Sequence, residues 1–327
     1  MPVTTTHPDY QAHQPHWDKI RDVLAGEQSV KAAGRKYLPR LSDQTLAEYQ
    51  GYLNRALFFN ATARTVDGLL GAIFRKKPEV SVPENFEMGV MDITLDGRPL
   101  NTFAREATKE VLSMGRFGVL IDMPPMMEDD SGEVVVPQNA KPYFTGFTTE
   151  QIVNWRTATV NGRHRLTLVV LSEEVETGSD DMFDLRTERQ FRVLSLNEEG
   201  AYEQSVYADH GKGTFVEISR IVPMRMGEPL TEIPFIFLTP VSHTPSVEKS
   251  TILDLVEVNL SHYRSSADLE HGRHFTALPT PYVTAPASSD VAPHYQIGPA
   301  NVWLIEPGGE AGMLEFTGAG LGYVENA

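Results

Sequence analysis

His271 and His274 stand one helical turn apart, with Asp268 and Glu270 beside them. That spacing lets imidazole and carboxylate groups face one metal ion. A polar helix end, whose imidazoles complement the C-terminal dipole, explains the same residues more simply, and no metal is expected. Glu128, Asp129 and Asp130 lack the spaced oxygen ligands of a calcium loop and read as a solvated acidic turn. Gly318, Gly320 and Gly322 form G-x-G-x-G, but no strand–turn–helix unit surrounds them and no G-x-x-x-x-G-K-[ST] occurs, so a loop closure is expected. No serine sits in a G-x-S-x-G elbow. The neighbours Glu173-Glu174 and Glu198-Glu199 diverge on strands or turns, which suits charged edges better than acid–base work. Arg75-Lys76-Lys77 ends a helix, where the dipole favours cations with or without a phosphate. With no cysteine there is no disulfide and no thiolate chemistry. Nothing here supports an enzyme, and no cofactor is expected.

Apolar spacing defines the elements that must position these residues. The polar stretch 1–14, with His7, Pro8 and His13, reads as a loose arm and lacks the apolar core of a signal peptide. Trp17, Ile20, Val23 and Leu24 predict a helix over 15–33, interrupted at Gly26. Ser42 is the expected N-cap of a helix striped by Leu46, Tyr49, Leu53, Ala56 and Leu57. Val66, Leu69, Leu70 and Ile73 continue the pattern to Lys76-Lys77-Pro78. Short extended pieces over 80–98, closed by an Asp96-Gly97 turn, lead to a helix over 102–114 with Phe103, Ala107, Val111 and Leu112 inward.

The period then changes. Phe117–Met123 reads as a strand, and two runs flank the hairpin turn Asn161-Gly162. Further strands are expected at 190–196, 201–207 and 233–238, which makes 126–243 β-rich and antiparallel. A long helix is expected over 246–271, its seam formed by Ile252, Leu253, Val256, Leu260, Tyr263 and Ala267. Asp254, Glu257, Ser261, Ser265 and Asp268 lie on its opposite, acidic face. Strand-like pieces at 281–285 and 301–306 and a glycine-rich stretch over 308–322 follow. The fold class is α+β, divided into an arm and helix (1–36), a helical region (37–125), a β-rich region (126–245) and a long helix with short strands (246–327). The longest apolar runs, Phe117–Ile121 and Pro234–Leu238, are far below the ~20 residues that span a bilayer.

Charge is distributed unevenly. Lys and Arg number 28 against 44 Asp and Glu, a net charge of −16. Residues 1–125 are balanced at 15 of each sign, so 126–327 carry the whole excess, with 13 basic and 29 acidic side chains. Such a surface repels phosphate and is ill suited to gripping nucleic acid, although it can let nucleic acid pass.

Three stretches occur together in a familiar order: Tyr52-Leu53-Asn54-Arg55-Ala56 leading into Arg64–Pro78 with Gly68 and Gly71; Gly115-Arg116-Phe117-Gly118 opening the strand to Pro124; and Ile233-Pro234-Phe235 ahead of the helix Leu253–Ser266. Together they resemble tailed-bacteriophage portal proteins, specifically a portal-like family long catalogued as a domain of unknown function. The resemblance runs from about Tyr37 to Gly322; members of that family continue into further helices past the glycine-rich stretch.

The resemblance implies a structural subunit, without enzymatic activity, of a ring that is usually twelvefold and sits at one capsid vertex. Double-stranded DNA would pass through the ring without sequence specificity during packaging and ejection. The implied partners are further copies of the chain, the terminase large subunit, capsid or scaffold proteins and a neck or adaptor protein. The implied location is the virion, with host cytoplasm during assembly and no membrane. Asp254, Glu257 and Asp268 are the expected channel-facing acids. Gly68, Gly71, Gly115, Arg116 and Gly118 are the expected structural motif: Gly115 and Gly118 free the chain to leave a helix for a buried strand, and Gly68 and Gly71 mark close packing or a bend. Another phage head or neck protein is the alternative, and a hydrolase with an unrecognised site the remote one.

Overall fold

Pro8 opens the first helix, its fixed φ suiting the first turn. In the computed structural model, which describes residues 2–84, 87–124, 127–128, 134–135, 141–160, 162–177, 186–211, 213–276, 280–284, 303, 305 and 307–314, α1 spans Pro8–Ala25. Residues 8–14, expected in a loose arm, are therefore helical. They are held there because Tyr10 is buried and its hydroxyl donates to the Glu150 carbonyl at 3.0 Å. Gly26, with φ of 103°, breaks the run before α2 (Glu27–Ala32).

α3 (Leu46–Arg55) is capped by Thr45, not Ser42. Thr45 has Glu48 three residues on, and the two close a reciprocal capping box that Ser42 cannot form with Thr45 as its third neighbour. Tyr49 and Tyr52 supply the buried face, while Leu46 and Leu57 are exposed. In α4 (Ala61–Ile73) Thr62, Val66 and Leu70 are buried. Gly68 and Gly71 lie on the far side, and a Cβ added at either meets nothing within 4 Å. The close packing expected of them is absent, because positions two and five beyond Val66 point away from the core. The expected extended pieces at 80–98 include instead a helical turn, α5 (Glu87–Met91). The Asp96-Gly97 turn is present: Gly97 has φ of 86°, and its N–H donates to Asp92 at 2.8 Å. α6 (Leu100–Met114) buries Phe103 and Ala107 as expected.

Of the strands, β1 (Phe117–Asp122) is central to an antiparallel sheet, paired with β4 (Tyr143–Phe147) and β12 (Phe235–Leu238). The minor hairpins β2 (Met127–Glu128)–β3 (Val134–Val135) and β10 (Met224–Arg225)–β11 (Glu228–Pro229) stand apart from it. A five-stranded antiparallel meander runs β5 (Ile152–Val160), β6 (Arg163–Thr177), β7 (Arg186–Leu196), β8 (Tyr202–Asp209) and β9 (Phe215–Ile221). Its buried positions include Ile152, Val169, Leu171, Phe191, Leu194 and Tyr202. The β-rich antiparallel middle was expected; β4 and β9 were not.

The chain divides into two compact units, each discontinuous in sequence: Met1–Leu24 with Ala61–Glu257, and Ala25–Asn60 with Val258–Ala327. The long helix α7 (Leu253–Thr276) begins in the first and ends in the second. It starts later than Ser246 because the preceding side chains are committed elsewhere: Ser250 and Thr251 donate to the last carbonyls of α6, on Ser113 and Leu112. All six residues of the expected seam, Ile252 to Ala267, are buried. In the second unit Tyr263 meets Phe58 edge-on at 5.7 Å, and Asn259 and Arg264 donate to the carbonyls of Phe59 and Tyr37. The expected strand at 281–285 is β13 (Thr280–Thr284), which pairs with β14 (Glu310–Leu314). Asn161, most of 128–133 and 301–306, and Gly318, Gly320 and Gly322 lie outside the described residues.

Glycines on the two faces should behave oppositely. Gly118→Val, which drives a side chain into Phe235 and Ile152, should lower stability by more than about 1 kcal/mol. Gly71→Ala, on an open helix face, should raise it by about 0.5–1 kcal/mol. Thermal denaturation of the two variants checks both signs.

Candidate functional site

The corner between α6 and β1 concentrates the least ordinary chemistry of the first unit. Gly115 ends α6 in the left-handed region with φ of 83°, its N–H donating to the Val111 carbonyl. A Cβ there would also press on the Glu248 carbonyl at 3.2 Å. Three residues on, Gly118 has ordinary φ but no room: an added Cβ would overlap the Phe235 ring tip and lie 2.8 Å from Ile152 Cδ1. The opposing strand repeats the device, since a Cβ on Gly146 would lie 2.5 Å from the Phe117 ring.

Arg116, between these glycines, is fully buried. Its guanidinium carbon lies 4.1 Å from the centroid of Trp155 and 5.4 Å from that of Phe237. Its nitrogens donate to the carbonyls of Pro245 and Ile152 at 3.2 and 3.4 Å and to the Thr149 hydroxyl at 3.4 Å. Burial pushes its pKa down to about 9, opposed by the more distant Asp9 and Tyr10. It therefore stays charged at neutral pH, carried by ring faces and carbonyl dipoles, an arrangement open to arginine's planar fork and not to lysine. The sequence shows the arginine between two glycines but not its burial, since Trp155 and Pro245 are brought to it only by the fold.

Elsewhere in that unit Arg21 bridges Glu110 and Glu150, with nitrogen–oxygen distances of 2.6 and 2.7 Å. Burial opposes its charge, but the hydrogen bonds to both carboxylates outweigh this and hold the pKa above the ordinary arginine value. Arg192 likewise joins Asp122 and Glu173, each at 2.9 Å. These pairs tie α1 to α6 and to the turn before β5, and β7 to β1 and β6.

The three acids of α7 differ from one another. Asp254 is 82% exposed and paired with Lys249 at 2.6 Å; Glu257 is 47% exposed and paired with Lys19 at 2.5 Å. Asp268 accepts the Tyr52 hydroxyl at 2.5 Å in the second unit, where burial and that carboxylate raise the Tyr52 pKa well above the usual range. Asp268 is thus a packing partner of α3 as well as a surface acid. One turn on, His271 accepts from Arg55 at 3.0 Å and meets Tyr52 edge-on. Burial, then Arg55 and His274, lower its pKa. Its Nδ1 is occupied, so the 268–274 cluster suits a neutral imidazole in a polar helix end. Among the described residues no group of three potential metal ligands converges.

Gly68 and Gly71 are not part of the corner; they lie on the open face of α4. Among the described residues no helix is long and apolar enough to cross a membrane.

Residues 251–327, which contain α7, match a family described as a domain of unknown function (DUF4055). No curated protein matches the chain.

Arg116→Lys should destabilise the protein by about 2 kcal/mol or more, because it removes the stacked plane and two of three hydrogen-bonding directions while leaving a buried charge. Denaturant titration measures this, and an unchanged midpoint would mean that the guanidinium plane is dispensable.

Proposed function

We propose that the chain is a portal-like structural subunit of a tailed phage, assembling into a ring through which double-stranded DNA passes. The observation that carries this reading is that two of the stretches on which the resemblance rests, Gly115–Pro124 and Ile233–Phe235, pack directly on each other. Phe235 of the Ile-Pro-Phe stretch presses on Gly118, β12 pairs with β1, and the segment before α7 caps α6. In the first stretch Asp67 on α4 reaches Lys109 on α6 at 3.5 Å. Residues of the second and third stretches, far apart in sequence, thus pack on one another within the first unit, which favours a shared fold over chance local likeness.

The acidic excess of 126–327 supports the same reading. Around a duplex, acidic subunits repel phosphate from every side and leave no deep binding well, which favours sliding over arrest. Asp254 and Glu257 are exposed, each beside a lysine, and Asp268 accepts a hydrogen bond from the neutral Tyr52 hydroxyl. Terminase, capsid or scaffold proteins and a neck protein are the partners this role requires.

The full gene product should scatter light as a high-order cyclic oligomer, and a monomer would overturn the proposal. In that oligomer, Asp254→Lys with Glu257→Lys should leave folding within about 0.5 kcal/mol. The same double variant should retain duplex DNA that the unaltered protein releases, with retention falling steeply as salt is raised.

A further inference from the structure

His7 immediately precedes α1 and caps it. Its Nδ1 accepts the Asp9 backbone N–H at 3.1 Å, so this nitrogen carries no proton and the ring is neutral. The same residue fastens the arm to the meander. Its backbone N–H donates to the Val153 carbonyl at 2.9 Å, and its ring stacks on Trp155 with centroids 4.0 Å apart and planes 17° apart. Asn154 adds a bond from its side-chain amide to the Thr5 carbonyl at 2.8 Å, and Thr5 closes a turn onto Pro2. Residues 2–7 thus lie along β5, which is an edge strand of its sheet.

We propose that residues 2–7 form a proton-operated latch, in which protonation of His7 lifts the arm from the β5 edge and from Trp155 while the remainder of the unit stays folded. A proton from solvent must land on Nδ1, where it forms an N–H bond, removes the acceptor of the Asp9 amide and uncaps α1. The new charge sits at the positive end of the helix dipole. Two cations face it, Arg116 packed on the same Trp155 and Arg156 approaching from β5, while His164 of β6 lines the same open cavity of about 640 Å³. Asp9, 3.7 Å away, is the opposing carboxylate. Burial first, then Arg116 and Arg156, hold the imidazole below its ordinary value of 6.5 against Asp9. The closed latch therefore favours the neutral ring. Its contribution is complete above the ordinary value and is lost as pH falls below it.

Amide hydrogen exchange on the full chain, corrected for intrinsic rates, tests this. From about pH 7.5 to 5, protection of residues 2–12 should fall about tenfold relative to that of β7, and the Asp9 amide should lead the change. His7→Asn, which can cap without titrating, should keep the arm protected throughout. Asp9→Asn, lacking the carboxylate that favours the imidazolium, should shift the opening to lower pH. Constant protection in the unaltered protein, an equal fall in His7→Asn, or an opening in Asp9→Asn at the same or higher pH would each overturn the latch.

Discussion

The approach of Phe235 and Ile152 to the backbone at Gly118 is the constraint on which the first unit depends. It lets β12 lie flat against β1, and that pairing places Phe237 beside Arg116 and Phe147 beside Phe235. Gly115, three residues earlier, turns the chain so that Arg116 enters the interior between Trp155 and Phe237. With its charge spread over ring faces and carbonyls, Arg116 links the end of α6, the 3-10 turn at Thr149, the start of β5 and the segment before α7. A side chain at Gly118 would disturb all of these, because close-packed interiors transmit strain.

Much of this fold is legible in the sequence, and the exceptions have identifiable causes. The α7 seam follows from spacing because each of its residues is buried on one stripe. The start of α7 does not, because Ser250 and Thr251 spend their hydroxyls on α6, a partner far away in sequence. The α1 boundary is missed because His7 and Tyr10 look like arm residues until Trp155 and the Glu150 carbonyl hold them. β4 is not singled out as a strand because Gly146 interrupts its run, and that glycine leaves room for the Phe117 ring. β9 hides because Val216 and Ile218 are exposed on an edge strand, so no buried face marks it. Gly68 and Gly71 show the opposite error: glycines within an apolar stripe suggest close approach, but helical phase turns both outward.

The candidate site was less legible than the fold. Spacing put Asp254, Glu257 and Asp268 on one face, but their partners Lys249, Lys19 and Tyr52 come from other elements. What α7 offers is an exposed acidic surface at its start and a hydrogen-bonded carboxylate further along. An α+β architecture alone assigns no function, so the portal reading rests on the packed motif stretches and on the one-sided charge.

Cryo-electron microscopy of the assembled gene product tests the central claim most directly. The account predicts a closed ring with an axial lumen to which each subunit's α7 presents Asp254 and Glu257, and a Gly115–Gly118 corner packed inside each subunit. Particles without rotational symmetry, or rings whose lumen is lined by other elements with α7 on the outer surface, would contradict it.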